Sequence, residues 1–131
     1  MRFALDTNVL IHFFKGDGRV AEHLLATPPS EVIIPAIVLY ELEVGISRST
    51  APGKRRRQLD ELLAAVEVRP FGLAEARIAA RIRSTLERAG TTIGPLDTLI
   101  AGTALAMSAT LVTHNTVEMS RVPGLEIVDW Y

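Results

Sequence analysis

The chain has no cysteine among its 131 residues, which excludes a disulfide framework and any metal site built on thiolates. Aromatic residues make up only 5% of the chain, so stacking platforms of the usual kind for nucleobases are not evident. No apolar run approaches the roughly 20 residues that a membrane-spanning helix needs. The first residues also lack the pattern of a signal peptide, so we expect a cytoplasmic protein with no membrane segment.

The chain has almost no excess of charge of either sign, since its formal net charge is -1. Composition therefore gives no overall attraction to nucleic acid, and any such contact would depend on local basic patches. Apolar residues, at 48%, are abundant, and charged residues account for 22%. These proportions are typical of a globular protein with a buried core, and we expect one domain over residues 1–131.

Short apolar runs alternate with helical patterns along the chain. The predicted strands are 3–5, 31–35, 66–71, 110–115 and 125–130. The predicted helices begin near Val9 and cover 36–46, 54–66, 73–90 and 94–109, with Gly90 and Pro95 as end and start signals. This alternation predicts a single α/β domain with a central, mainly parallel sheet of four to five short strands flanked by helices.

One acid stands alone near the start of the chain. The stretch "FALDTNVLIHFF" (3–14) has Asp6 as its only charged residue. Burying a charge costs several kcal/mol unless a partner compensates it. Sites in parallel sheets lie beyond the carboxyl ends of the strands, and Asp6 follows the first predicted strand. A helix-capping acid and a cation ligand are both consistent with this position.

Two more acids share helix faces with apolar residues. Asp97 is at about the third position of its helix, and its neighbours at i+3, i+4 and i+7 are all apolar. Glu41 lies between apolar positions of the helix over 36–46, whereas Glu43 falls in the widest gap between them. We therefore expect Glu41 and Asp97 to face inward. A first-turn acid and a partly exposed helix-edge acid are the structural alternatives.

Acids that converge from distant segments raise each other's pKa unless a cation lies among them. Oxygen ligands without cysteine favour Mg²⁺, with Mn²⁺ as a substitute, and such ions support the attack of water on a phosphodiester. The histidines have no metal-ligand spacing to one another: we interpret His12 and His23 as structural and place His114 near the phosphate path. The predicted ligands are Asp6, Glu41 and Asp97.

Four segments occur in a distinctive order: "LDTNVLI" (5–11), "YELEVGISRS" (40–49), "IGPLDTLIAGTALA" (93–106) and "ATLVTHNTVEMSRVPGLEIVDW" (109–130). Together they resemble the PIN-domain family, most closely the VapC-type toxins of toxin–antitoxin pairs, over nearly the whole chain. The resemblance implies an Mg²⁺-dependent endoribonuclease held inactive by a cognate antitoxin. It also implies that Asp6, Glu41 and Asp97 correspond to the first, second and third acids of the family's active site.

The fourth acid is where the chain departs from the family. Many PIN domains have an aspartate soon after the strand matched here by "TLVTHN", and the nearest equivalent is Asn115. VapC-like chains often read "NNTREF", which implies Glu118 as the fourth carboxylate, with ligation by the Asn115 oxygen as the alternative. The hydroxyls of Thr7 and Thr113 adjoin the acids and could orient a carboxylate or water, or be ordinary turn hydroxyls.

Two basic groups are candidates for contact with RNA phosphates, although a solvated face is the commoner role for each. They are the run "KRRR" (54–57) and the helix positions Arg77, Arg81 and Arg88. The expected partners are an RNA substrate, an antitoxin protein and a second copy of the chain. Candidate positions for a protein groove, although the core is the commoner role for any one of them, are Leu24, Leu25, Leu39 and Leu42.

Two other functions compete with the nuclease. A phosphoryl-transfer enzyme with an aspartate acceptor needs a second acid close to the first and a lysine at a later strand end. Here Asn8 stands two residues after Asp6, and the only lysines are Lys15 and Lys54, which counts against that class. A non-catalytic PIN-like module that binds RNA or protein is the other alternative, and metal-dependent cleavage of RNA would separate it from the nuclease.

Overall fold

The computed structural model describes all of residues 1–131 and contains five strands and seven α-helices. The strands are β1 (Phe3–Leu5), β2 (Val32–Pro35), β3 (Glu67–Arg69), β4 (Thr110–Val112) and β5 (Ile127–Val128). The helices are α1 (Thr7–Lys15), α2 (Val20–Leu25), α3 (Ala36–Ser47), α4 (Pro52–Leu63), α5 (Leu73–Ala89), α6 (Pro95–Ala106) and α7 (Thr116–Met119). A single 3-10 turn, Pro29–Glu31, precedes β2.

The strands form one sheet in the order β3-β2-β1-β4-β5, and every neighbouring pair is parallel. Strand β1 is central, and its last residue, Leu5, pairs with Val112 at the end of β4. All four residues of β2 are buried, as expected for a strand covered on both faces. The predicted α/β class and its parallel sheet are confirmed, and the segments that follow β1 and β4 meet at one edge.

Several predicted boundaries differ from the structure. Helices α2 and α7 were not predicted, because six and four residues are too few to show a helical period. Helix α1 begins at Thr7 rather than near Val9, since Asp6 caps it, and α4 begins at Pro52. The last two strands are shorter than predicted. Gly90 ends α5 in the left-handed conformation (φ 69°) and Pro95 opens α6, as predicted.

None of the helices is both long and apolar enough to span a membrane.

Helices α5 and α6 pack closely against each other at Gly102. A methyl group built on Gly102 would lie 2.8 Å from the Cβ atom of Ala79 and 3.0 Å from its Cα atom. Because part of this contact is backbone, the two helices would have to move apart to accept a side chain. The glycine therefore allows the packing that fixes α6 against the rest of the fold.

Gly102→Ala is expected to lower the free energy of unfolding by about 1–2 kcal/mol, since overpacking costs about 1–3 kcal/mol and alanine regains up to about 1 in helix propensity. Gly45→Ala is the matched control, because a methyl group there meets nothing within 4 Å. That variant should be as stable as wild type or more so. Urea denaturation measures both, and equal stability of the two variants would contradict the close packing at Gly102.

Candidate active site

Asp6 lies directly after β1 and caps the first turn of α1. Its side chain is buried, with only 5% of the residue exposed. One carboxylate oxygen, Oδ1, accepts the backbone N–H of Thr7 at 2.8 Å, and the other, Oδ2, accepts the hydroxyl of Thr113 at 2.8 Å. The N–H of Asp6 donates to the carbonyl oxygen of Val112 at 3.0 Å. Helix α1 and the end of β4 therefore hold this carboxylate from two sides.

Thr113 is fully buried, and its hydroxyl oxygen accepts the backbone N–H of Asn115 at 3.0 Å. Because that interaction occupies a lone pair, the hydroxyl proton is directed at Asp6. The contact joins residues separated by 107 positions in the sequence. Thr113 is thus a buried support for the carboxylate of Asp6.

Glu41 on α3 is linked to Asp6 through Thr7. The hydroxyl of Thr7 donates to Oε1 of Glu41 at 2.6 Å, while its N–H is bound to Asp6. Glu43 instead forms an ion pair with Arg56 and is half-exposed, in keeping with its predicted outward position. The structure therefore brings Glu41, and not Glu43, to the edge of the sheet where Asp6 lies.

Asp97 is the third residue of α6, as predicted, and lies in the first turn of that helix. A methyl group built on Gly94 would be 3.2 Å from Oδ2 of Asp97, so the carboxylate lies over the start of its own helix. Burial raises the pKa of Asp97 to about 6, and the negative charges of Asp6, Glu41 and Glu118 add to the effect. Asp97 is thus close enough to the other three acids to sense their charge.

The acids of this cluster have no positive side chain as a partner. The ion pairs of the structure all involve other carboxylates. Burial also raises the pKa of Asp6, and the charge of Glu41 contributes, although the hydrogen bonds from Thr113 and Thr7 oppose the rise. Unpaired like charges at a buried edge are unfavourable, and a bound cation would relieve them.

Glu118 on α7 completes the cluster. The side-chain amide nitrogen of Asn115 donates to its Oε2 at 2.9 Å. Of the two sequence alternatives for the fourth position, Glu118 therefore supplies the charge near Asp97, while Asn115 holds the Glu118 side chain.

The donor set suits a hard cation, but the side chains do not surround one by themselves. No three histidine, aspartate or glutamate side chains are grouped closely enough to hold an ion alone. Mg²⁺ usually keeps several waters and takes only one or two carboxylates directly, so a closed protein cage is not required for it. The carboxylate of Asp97 has no hydrogen bond that lowers its pKa, which leaves its oxygens available as ligands.

Only some residues of the predicted basic and apolar surfaces are available to bind RNA or a protein partner. Within 54–57, Arg55 donates to the carbonyl oxygen of Phe14 and Arg56 is paired with Glu43, so these two arginines have structural partners. The positions of the two basic groups that remain exposed and form no ion pair are Lys54, Arg57, Arg77, Arg81 and Arg88. Among the leucines proposed for a groove, Leu24 and Leu42 belong to the core, Leu39 packs partly against it and Leu25 is 79% exposed.

Sequence reasoning missed one feature of this edge, an aromatic cluster that includes Tyr131. Tyr131 stacks on His114, which follows β4. Because β4 and β5 are adjacent parallel strands, the residues that follow them meet at one edge, and this pairing is the signal that could have found the cluster. His23 stacks on Trp130, in keeping with its structural interpretation.

The family model of the PIN domain matches residues 3–125 of the chain. The chain belongs to the PIN-domain family. This PIN domain is 33% identical to the tRNA(fMet)-specific endonuclease VapC of Salmonella typhimurium over 130 residues, which is 99% of this chain and 98% of that protein. It is also 33% identical to the ribonuclease VapC2 of Rickettsia felis over 132 residues, with 99% and 98% coverage.

Solved structures of VapBC complexes contain the same fold. The VapBC2 complex of Rickettsia felis, bound to a promoter DNA fragment, matches this PIN domain with a TM-score of 0.91 and 32% identity over 100% of both chains. The DNA-bound VapBC complex of Salmonella typhimurium matches with a TM-score of 0.92 and 33% identity over 100% of this chain and 99% of that one. The resemblance inferred from the sequence motifs is therefore confirmed.

Proposed function

We propose that this PIN domain is a metal-dependent endoribonuclease and the toxin of a toxin–antitoxin pair. The observation that carries the proposal is the convergence of four acids without a positive partner: burial, with the charges of Asp6, Glu41 and Glu118, raises the pKa of Asp97 to about 6. The names of its relatives, VapC ribonucleases and tRNA(fMet)-specific endonucleases, favour RNA as the substrate. The products would be the two fragments left by hydrolysis of a phosphodiester bond.

Asp6, Glu41 and Asp97 would hold Mg²⁺, or Mn²⁺ in its place, with Glu118 as the fourth carboxylate. The ion would lower the pKa of a bound water and stabilise charge on the scissile phosphate. Thr113 and the N–H of Thr7 fix the orientation of Asp6, and the hydroxyl of Thr7 fixes Glu41. These supports limit the rotation of the carboxylates before any substrate binds, which is the preorganisation that a metal site needs.

An antitoxin protein is the proposed inhibitor, because the matched solved structures are VapBC complexes. The antitoxin would bind in a cavity of about 230 Å³ that is lined in part by Glu41 and by apolar side chains. The residues that form its apolar wall are Ile11, Phe14, Leu42 and Ile46. A homodimer of the toxin is part of the same proposal.

Cleavage of an RNA panel that includes tRNA tests the function directly. Wild-type protein should cut with Mg²⁺ or Mn²⁺ and not with EDTA, and Asp6→Asn, purified identically, should be inactive. Equal cutting by wild type and Asp6→Asn would reveal a contaminating nuclease. If nothing is cut while metal still raises the melting temperature, the protein is a binding module, an alternative favoured by Asn115 in place of the family's aspartate, or its RNA target is narrower than the panel.

A further inference from the structure

Three aromatic rings meet where the chain leaves β4 and β5. The rings of His114 and Tyr131 are stacked, with centroids 4.4 Å apart and an angle of 25° between their planes. The ring of His12, on α1, stands edge-on to both, 4.8 Å from Tyr131 and 5.9 Å from His114. The aromatic content of 5% counts only phenylalanine, tryptophan and tyrosine, so it does not reveal a cluster of two histidines and one tyrosine.

The main chain holds Tyr131 in place. Its N–H donates to Oδ1 of Asp129 at 2.9 Å, and its carbonyl oxygen accepts the N–H of Arg19 at 3.1 Å. The ring packs over Gly18, where an added methyl group would lie 2.8 Å from the ring carbons. Gly18 also has a positive φ of 58°, so both conformation and space require glycine there. The tyrosine is therefore fixed before any ligand arrives.

His114 is held in the same way. Its Nδ1 lies 2.9 Å from Oδ2 of Asp129, and because a carboxylate only accepts, Nδ1 carries the proton. Asp129 thus supports both members of the stack, one through each oxygen. Yet the side chain of His114 is 49% exposed and Tyr131 is 46% exposed. Ring surface that is both rigid and open to solvent is suited to binding a flat ligand, because little conformational entropy is lost.

The His114–Tyr131 stack is connected to the acidic cluster through the main chain at Thr113. His114 is the residue after Thr113, whose hydroxyl is bound to Asp6. Adjacent Cα atoms are about 3.8 Å apart, so the stack begins one residue from a support of the acidic cluster. From this adjacency we expect the rings to meet a base that neighbours a phosphate held at the acids.

We propose that the His114–Tyr131 stack is a nucleobase-binding subsite that holds an unpaired base next to the phosphate to be cut. The inference rests on the proposed function for its substrate class. Every base presents a π-face, so the subsite would favour single-stranded RNA over duplex without reading sequence. It would also supply affinity that this nearly neutral protein does not gain from its net charge.

Binding of a labelled, mixed-sequence single-stranded RNA, followed by fluorescence anisotropy in the Asp97→Asn background, tests the subsite. The comparison probe is an oligomer of equal length and charge in which abasic tetrahydrofuran residues replace all the nucleotides. The protein should prefer the base-bearing strand by about 5- to 150-fold, the range expected for one stacked base. His114→Ala and Tyr131→Ala should lose this preference, and His114→Phe should keep it because phenylalanine still stacks.

Tyr40→Ala, which removes an exposed tyrosine from α3, is the matched control and should leave the preference unchanged. Rescue by phenylalanine but not alanine separates stacking from a structural effect on Thr113, and melting temperatures identify any variant that fails to fold. Equal binding of both probes by the Asp97→Asn background, or an unchanged preference in both alanine variants, would refute the subsite.

The cleavage panel reports separately on the proposed function. If RNA is cut but bases do not affect binding, the subsite is wrong and the nuclease stands. If bases strengthen binding and the wild type cuts nothing, the subsite stands and the nuclease is wrong. Absence of any binding to the base-bearing strand overturns the subsite as well.

Discussion

Asp97→Asn is expected to lower the rate of RNA cleavage by at least about 100-fold while leaving the fold intact. Metal-ion catalysis contributes several kcal/mol, and each 1.36 kcal/mol corresponds to a factor of ten in rate. Asparagine has nearly the same shape as aspartate, so the first turn of α6 and its contact with Gly94 should persist. Single-turnover cleavage at saturating Mg²⁺ measures the loss, and circular dichroism checks the fold.

Glu61→Gln is the matched control, because it neutralises an exposed acid of α4 outside the cluster. It should cut RNA at the wild-type rate. Full activity of Asp97→Asn would remove Asp97 from the catalytic site. An equal loss in both variants would instead mean that the loss does not report on the acidic cluster.

The metal-free protein is expected to lose stability as the pH rises from about 4 to about 7. The pKa of Asp97 is about 6 in the folded state, against 3.8 for an ordinary aspartate, so between these values the folded state holds more protons than the unfolded state. Linkage then makes unfolding easier as the pH rises, because Asp97 becomes charged among other acids. The full shift corresponds to about 3 kcal/mol, and solvent screening at this partly exposed group reduces it to about 1–2.

Urea denaturation in EDTA measures this effect as the stability of wild type minus that of Asp97→Asn. The difference should be near zero at about pH 4 and should favour the variant at about pH 8. Added Mg²⁺ should then raise the melting temperature of wild type more than that of the variant, since only the folded wild type gains its full ligand set. A difference that does not change with pH would mean that neither burial nor the neighbouring carboxylates raise the pKa of Asp97.

The sequence was sufficient for the fold because the longer elements carry clear periodic patterns. Helix α5 was predicted within one residue of its observed end. Gly90 ends α5 and Pro95 begins α6, as glycine and proline commonly do. Helix α7 was not predicted, since four residues contain barely one turn. That short helix nevertheless presents Glu118, so the least predictable element carries one of the acids.

The candidate acids could be singled out because a charge in an apolar stretch is conspicuous. Asp6 and Asp97 are the only charged residues in their segments, and the structure brings both to the same edge. The supporting contacts were not predictable in detail: Thr7 joins carboxylates on two elements, and Thr113 reaches Asp6 across the sheet. The stack of His114 on Tyr131 depends likewise on the order of β4 and β5 and not on any local pattern.

The pairing of β1 with β4 also has a consequence for synthesis on the ribosome. Asp6 is among the first residues to emerge, whereas Thr113 is added 107 residues later, and β4 must pair with β1 before the two can touch. A nascent chain that ends before β4 has neither the hydroxyl that holds Asp6 nor the α7 segment that carries Glu118. For the proposed ribonuclease, this order means that the acidic cluster and its support are complete only when translation is nearly finished.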